Sequence, residues 1–199
     1  MRTVQVNLYT YDELSDAAKA KAREWYAACD AFDPEMEPYE TAARILGITF
    51  ATGRNNTSDI QWSGFSSQGD GASFVGSYSY SPKAAQAIRE EFPEDNMLHR
   101  IADTLAVTQA RYTAPLAAKI GLWGRYVQSR SMWLEDYSPE DLTNEDLNDG
   151  LLLAMRLFAD WIYICLEDDY NSQREDEYIE ESILSNGYEF RADGERSNG

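Results

Sequence analysis

Residues 60–81 read "IQWSGFSSQGDGASFVGSYSYS". Apolar and aromatic residues alternate with small polar ones on either side of a glycine-rich centre. Period two is the mark of a half-buried β-strand. An Asp-Gly pair between two such runs signals a hairpin, because glycine reaches the positive φ that a tight turn needs. The expectation is two antiparallel strands turned at Gly69, Asp70 and Gly71. Along the second strand Ala72, Phe74, Gly76, Tyr78 and Tyr80 share one face, and Ser73, Val75, Ser77 and Ser79 the other. A competing reading makes 66–74 a ligand loop, either as a nest of backbone N–H groups around an anion or through Gln68, Asp70 and Ser73. The loop has no Lys or Arg for an anion, and a strand follows it where a helix N-terminus would help. One carboxylate is few for a hard cation. The hairpin needs fewer assumptions, and the ligand loop stays as the alternative.

Upstream, residues 3–11 alternate as a strand with Val4, Val6 and Leu8 on one face. "LSDAAKAKAREWYAAC" follows as a helix capped by Ser15, with Leu14 placed as a staple. Leu14, Ala18, Ala22, Trp25 and Cys29 form its apolar side. "YETAARILG" is a second helix that stops at Gly47, and "ITFAT" is a strand. Downstream, Ser81 and Pro82 suit a helix start. A longer helix begins near Asp95 with Leu98, Ile101 and Leu105 inward, and Pro115 ends it.

"AKIGLWGRYVQSRSMWLEDYS" (118–138) reads as a β hairpin or bent strand. Asn144 suits the cap of a long helix reaching about Asp169, whose core stripe includes Leu151, Phe158, Trp161, Ile162 and Cys165. "SQRE" (172–175) reads as a capping box for a last helix ending at Gly187, and "YEFRADG" as a short strand and turn. Hairpin-linked strands and paired helices imply an α+β fold. The expectation is an antiparallel sheet of about five strands packed with paired helices, in a single domain over 1–194, with a flexible tail at 195–199.

Chemistry-bearing motifs are scarce. His99 is the one histidine and sits in a helical pattern without a located partner for catalysis. There is no phosphate-binding G-x-x-x-x-G-K and no nucleophile elbow. Two distant cysteines, Cys29 and Cys165, with one histidine do not make a zinc site, and they read as two buried, reduced thiols. The expectation is a protein that is not an enzyme, with no metal and no cofactor. No apolar run is long enough to span a bilayer, and the alternating N-terminal residues lack a signal-peptide core, so the expected location is the cytoplasm.

Charge is the informative feature. The net charge is −18, and residues 131–199 carry 19 acidic against 4 basic residues. Such a surface repels nucleic acid and anionic membrane and attracts basic grooves. Like charges three or four apart on a helix are mildly destabilising, so acidity this dense points beyond folding, with ordinary solubility charge or adaptation to high salt as the plainer alternative. The candidate partner-binding set is Trp133, Glu135, Asp136, Tyr137, Glu140, Asp141, Glu145, Asp146, Asp149, Asp160 and Glu167. The carboxylates supply the field and the aromatics the anchors.

Three segments, "TYDELSDAAKAKAREWY", "WSGFSSQGDGASF" and "DYNSQREDEYIEESILSNGYEFRADGE", resemble a family of small, largely uncharacterised phage and prophage proteins, some labelled antitoxins. The likeness spans most of the chain and departs most over 119–137. It implies a cytoplasmic, phage-borne protein of the bacterial host cell. Together with the charge it leads to an anti-defence inhibitor of anti-CRISPR type. Such a protein occupies the basic groove of a host defence effector, such as a CRISPR surveillance complex, as an acidic DNA mimic, without itself binding nucleic acid or membrane. The alternatives are an antitoxin-like protein that neutralises a toxin, and a small-ligand binder or enzyme using the 66–74 loop.

Overall fold

The computed structural model describes residues 7–29, 32–53, 57–124, 126–138 and 147–197. Among these the chain runs β1 (Tyr9–Thr10), α1 (Asp16–Cys29), α2 (Glu37–Leu46), β2 (Ile48–Phe50), β3 (Ile60–Ser63), β4 (Gly71–Phe74) and β5 (Gly76–Ser79). It continues through α3 (Ala84–Glu91), α4 (Asn96–Gln109), β6 (Ala117–Leu122), β7 (Met132–Asp136), α5 (Leu153–Ser172), α6 (Asp176–Ser185) and β8 (Glu189–Phe190). The fold is α+β and every strand pairing is antiparallel. Two compact units emerge, Glu35–Glu167 and the two terminal stretches Met1–Pro34 and Asp168–Gly199.

In the central unit four strands form a sheet in the order β2-β5-β6-β7, and β3 and β4 form a separate hairpin. About five strands were expected in one sheet. The difference arises at Val75, where the continuous run 71–79 changes partners. β4 pairs with β3, whereas β5 lies between β2 and β6. Period two is visible on β5 but not on β4, where all four residues, Ser73 included, are buried. Ala72, Phe74 and Tyr78 are buried, while Ser77 and Ser79 are exposed. Burying side chains of this size contributes about 1.5–3 kcal/mol each. The aromatic core runs from Phe50 to Phe74 (5.3 Å between ring centroids), on to Phe158 (5.6 Å) and to Trp161 stacked 5.4 Å away. Leu98, Ile101 and Leu105 of α4 are buried as their spacing predicts. Asp95 caps that helix by accepting the Leu98 N–H at 2.9 Å. Gly47 ends α2 at φ 85°. The Nε2 of His99 lies 2.8 Å from the Phe92 carbonyl oxygen, across the α3–α4 connection.

The hairpin predicted from 60–81 is present, with Ile60 opposite Phe74 and Ser63 opposite Gly71. Its turn differs from the expectation. The positive φ falls at Gly64 (32°), not at Gly69 or Gly71. Residues 64–70 make a longer loop gathered around the Asp70 carboxylate, whose Oδ2 accepts the N–H of Ser66 (2.8 Å) and of Ser67 (2.6 Å). A Cβ on Gly64 would stand 2.7 Å from that same oxygen. An aspartate that satisfies two loop donors does the work that a two-residue turn would otherwise do.

In the terminal unit Tyr11, Leu14, Ala18 and Ala22 pack with Ile179 and Ile183 of α6 and with Phe190 of β8. Ser15 caps α1 through its Oγ, 3.4 Å from the Ala18 nitrogen. Arg23 on α1 reaches Glu180 (2.7 Å) and the Tyr11 hydroxyl (3.0 Å), and Tyr11 in turn donates to Glu180 at 2.9 Å.

Several local expectations change. Of the strand expected over 3–11, residues 3–6 lie outside the described residues, and β1 is the pair Tyr9–Thr10. Cys29 is exposed, because the apolar cluster of α1 ends before it, and Cys165 on α5 is half-buried instead of buried. Ser172 closes α5 instead of capping α6, which starts after Glu175 with no side-chain cap. Likewise α3 starts after Lys83, two residues beyond Ser81. Residues 195–197, expected to begin the tail, return along β8. Arg196 bridges Phe190, and the Ser197 N–H donates to the Glu189 carbonyl at 3.1 Å.

Candidate functional site

The hairpin β6–β7 and the residue after it carry Trp133, Glu135, Asp136 and Tyr137 of the predicted surface. Gly121 lies opposite Trp133 and Lys119 opposite Glu135. Strand alternation sends Ala118, Ile120 and Met132 into the core and puts Lys119, Gly121, Trp133 and Glu135 on the other face, where Lys119 and Glu135 are exposed, Trp133 is half-buried and Gly121 is buried beneath it. A Cβ at Gly121 would fall 2.3 Å from a carbon of the Trp133 indole, so the ring packs directly against the glycine. The absent side chain makes room for the aromatic one.

Around this indole the face is assembled from short contacts. Trp123 packs beside Trp133 with ring centroids 5.7 Å apart. Lys119 Nζ is 5.9 Å from the centre of the Trp133 ring and 3.7 Å from Glu135 Oε2. The Tyr137 hydroxyl donates to the same carboxylate at 3.2 Å. Trp123, Tyr126 and Tyr137 are 69%, 77% and 59% exposed. Large aromatic rings left in water on one hairpin make it a candidate interaction surface. The tip is braced from below, since the Gln128 side-chain amide donates to the Gly69 carbonyl of the β3–β4 loop.

The structure thus brings Trp133, Glu135 and Tyr137 together. It separates Asp136, which as the next residue along β7 takes the opposite parity. Asp136 Oδ1 accepts the Ser138 N–H at 2.8 Å, and the Ser138 hydroxyl bonds the Ala117 backbone, closing the end of the hairpin. Asp160 and Glu167 stand seven residues apart on one side of α5, exposed and half-buried respectively. Glu167 and Asp70 both help to hold the Tyr163 hydroxyl proton on, behind the larger effect of its burial. Glu140, Asp141, Glu145 and Asp146 lie outside the described residues. Asp149 sits in the π-helical turn Leu147–Leu152, with its side chain undescribed.

Sequence reading missed Trp123, Tyr126, Lys119 and Gly121. The signal was present: a tryptophan and a tyrosine around Gly124 fall in the turn of a hairpin, where no core is available to cover them.

The three side chains of the loop alternative go different ways. Gln68 is exposed, Asp70 is engaged with its own loop, and Ser73 is fully buried. An open groove of about 720 Å³ is lined instead by residues such as Glu40, Arg44, Thr49, Phe50, Ser58 and Tyr80. Among the described residues no group of three or more His, Cys, Asp or Glu is placed to hold a metal ion, and no helix is long and apolar enough to cross a membrane.

A protein-family model described as "Domain of unknown function (DUF8835)" matches residues 32–176. The chain belongs to that family. No curated protein and no solved structure matches it. The aromatic face of β6–β7 lies inside the matched region, and most of the terminal unit lies outside it.

Proposed function

We propose that this chain is a non-enzymatic binding protein, an anti-defence inhibitor of anti-CRISPR type, that seats itself in the basic nucleic-acid-binding groove of a host effector. The observation that carries the reading is the packed pair of exposed Trp123 and half-buried Trp133, on a hairpin segment that also exposes Tyr126 and Tyr137. Aromatic side chains gathered on one face are the residues that dominate interface energetics. The net charge of −18 supplies the attraction to a cationic groove, and the likeness to phage proteins supplies the biological setting. Glu135 is already shared by Lys119 and Tyr137, so this face contributes packing while the acid-rich chain as a whole contributes the field.

The test is capture from a lysate of cells that carry the gene, with the wild type and a Trp123→Ser/Trp133→Ser double variant side by side. The expected result is a nucleic-acid-binding protein held by the wild type, released by duplex DNA and by rising salt, and held weakly by the variant. A partner that duplex DNA does not displace, or one held equally by both proteins, overturns the proposal. Recovery of a toxin would favour the antitoxin reading. Thermal stabilisation by nucleotides or divalent metals alone would favour the small-ligand reading.

A further inference from the structure

In the terminal unit, Trp25 of α1 and Tyr188 beside β8 meet almost at right angles, with centroids 5.3 Å apart and planes at 85°. Tyr26 stands 6.3 Å from each ring, and Phe190 backs Trp25 at 5.8 Å. The corner these rings form is occupied. The guanidinium of Arg196 lies 4.8 Å from the centre of the Trp25 ring and 4.6 Å from that of Tyr188. A cleft of about 340 Å³ opens at the same place, lined by Lys21, Trp25, Gly194, Glu195 and Arg196.

Two features set this arginine apart. The chain holds 35 acidic residues against 17 basic ones, so carboxylates are abundant as partners for a cation. Arg23 and Arg191 of the same unit have such partners, whereas Arg174 lies over one ring, that of Tyr170, 3.6 Å from its centre. Arg196 has none among the described residues and is held by two π faces. Its neighbours are held differently: Lys21 pairs with Asp193 and Glu195 at 3.4 Å each. The backbone N–H of Glu195, with Lys21 behind it, keeps the Asp193 carboxyl below the usual carboxylate range. The backbone that presents Arg196 is a tight return, closed by Arg191 N–H to Glu195 O at 2.8 Å and by the bridge to Phe190. An exposed arginine on the last turns of such a return can leave the rings without unfolding the helices beneath them.

We infer that the Trp25–Tyr188 corner is a guanidinium-recognition site that Arg196 fills in cis, and that it receives an arginine side chain from a basic partner polypeptide when Arg196 is displaced. The chemistry selects arginine over lysine, since a planar, weakly hydrated guanidinium stacks on an aromatic face where a compact ammonium keeps its water. The acidic composition favours the arrival of a basic segment, and the cleft beside Arg196 gives it a way in. The site is separate from the β6–β7 face and does not rest on that face's role.

The test compares the wild type with Arg196→Ala, titrating each with the peptides Arg-Arg-Arg and Lys-Lys-Lys. Binding is followed by NMR at the Trp25 indole N–H, assigned with Trp25→Phe. A tethered competitor acts at an effective concentration on the order of millimolar, so its removal should tighten Arg-Arg-Arg binding roughly tenfold. The lysine peptide should remain weaker in both proteins. Adding Tyr188→Leu to Arg196→Ala should abolish the gain, with circular dichroism confirming that the fold persists. If Tyr188→Leu unfolds the unit, the arginine-versus-lysine preference in Arg196→Ala alone decides. Equal Arg-Arg-Arg affinity in the wild type and Arg196→Ala, or equal affinity for the two peptides, overturns the inference. Trp123→Ser should leave every one of these titrations unchanged. That separates failure here from failure of the β6–β7 surface.

Discussion

The indole N–H of Trp161 donates to Oδ2 of Asp95 at 2.6 Å, while Oδ1 of the same carboxylate caps α4 through the Leu98 N–H. One aspartate therefore ties the start of a helix to the aromatic centre of the central unit. Trp161 is itself enclosed by Tyr39, Phe92 and Phe158.

The two roles separate by substitution. Asp95→Ala removes the cap, worth about 1 kcal/mol, and leaves a buried indole N–H unpaired at about 1–3 kcal/mol. Its expected destabilisation is about 2–4 kcal/mol. Asp95→Asn keeps a competent cap but loses the charged acceptor, so the loss should be about half as large. Urea unfolding of both variants, and of each combined with Trp161→Phe, measures the coupling. Additive effects would show that the indole bond contributes nothing.

Alkaline stability should report on Tyr78. Its side chain is 2% exposed on β5, and burial pushes its hydroxyl well above the ordinary value of 10.0, with Tyr80 adding a smaller effect in the same direction. The fold thus favours the protonated phenol. That contribution is complete below pH 10 and declines as pH rises from there toward the raised folded value, because only the unfolded chain ionises. The slope is about 1.4 kcal/mol per pH unit for one proton. Tyr78→Phe should match the wild type near pH 7 and lose stability less steeply between pH 10 and 12. Identical alkaline slopes for the two proteins would contradict this.

Much of this architecture was legible because it is local. Asp95 followed by Leu98, Ile101 and Leu105 is a cap and a 3.6-residue stripe, and both are present. Tyr78 between exposed Ser77 and Ser79 keeps period two on β5, whereas β4 is buried at all four positions and the alternation fails at Ser73. The capping box at Ser172 failed because α5 continues through Asn171 and Ser172. The motif signals a start only where the chain has already left the preceding helix. The turn at Gly69–Gly71 failed because the Asp70 carboxylate reorganises seven residues, which no dipeptide rule encodes.

The candidate surface was half legible. Charge is countable, but direction follows strand parity, and neighbours on one strand such as Glu135 and Asp136 face opposite ways. Trp133 was singled out from composition. Its support by Gly121 and Trp123 depends on a register set by residues ten or more positions apart.

Ser73 offers a test of packing. It is fully buried on β4 opposite Gln61, and its hydroxyl has no hydrogen-bond partner among the described residues. A buried, unsatisfied hydroxyl costs about 1–3 kcal/mol. Ser73→Ala should therefore raise stability by about 1 kcal/mol, read as a higher urea midpoint at unchanged slope. A drop of the same size would mean that the hydroxyl holds a bound water or a ligand, and would revive the loop alternative.

Gly121→Ala links the fold to the proposed surface. The new methyl would overlap the Trp133 indole at 2.3 Å, and the strand register fixes both residues, so the ring must swing away and take its contact with Trp123 with it. Overpacking of this kind costs about 1–3 kcal/mol, and the fold should survive it. Tryptophan fluorescence should shift to the red as the indoles gain water, and capture of the cationic partner should weaken as far as it does for the Trp123→Ser/Trp133→Ser variant. The conservative comparison is Lys119→Ala, which removes the ion pair with Glu135 at 3.7 Å. An exposed pair of this kind is worth at most about 1 kcal/mol, so that variant should keep its fluorescence. It should also bind a cationic groove at least as well as the wild type, because the face becomes more negative. Full partner capture by Gly121→Ala, with the red shift present, would remove the aromatic face from the mechanism.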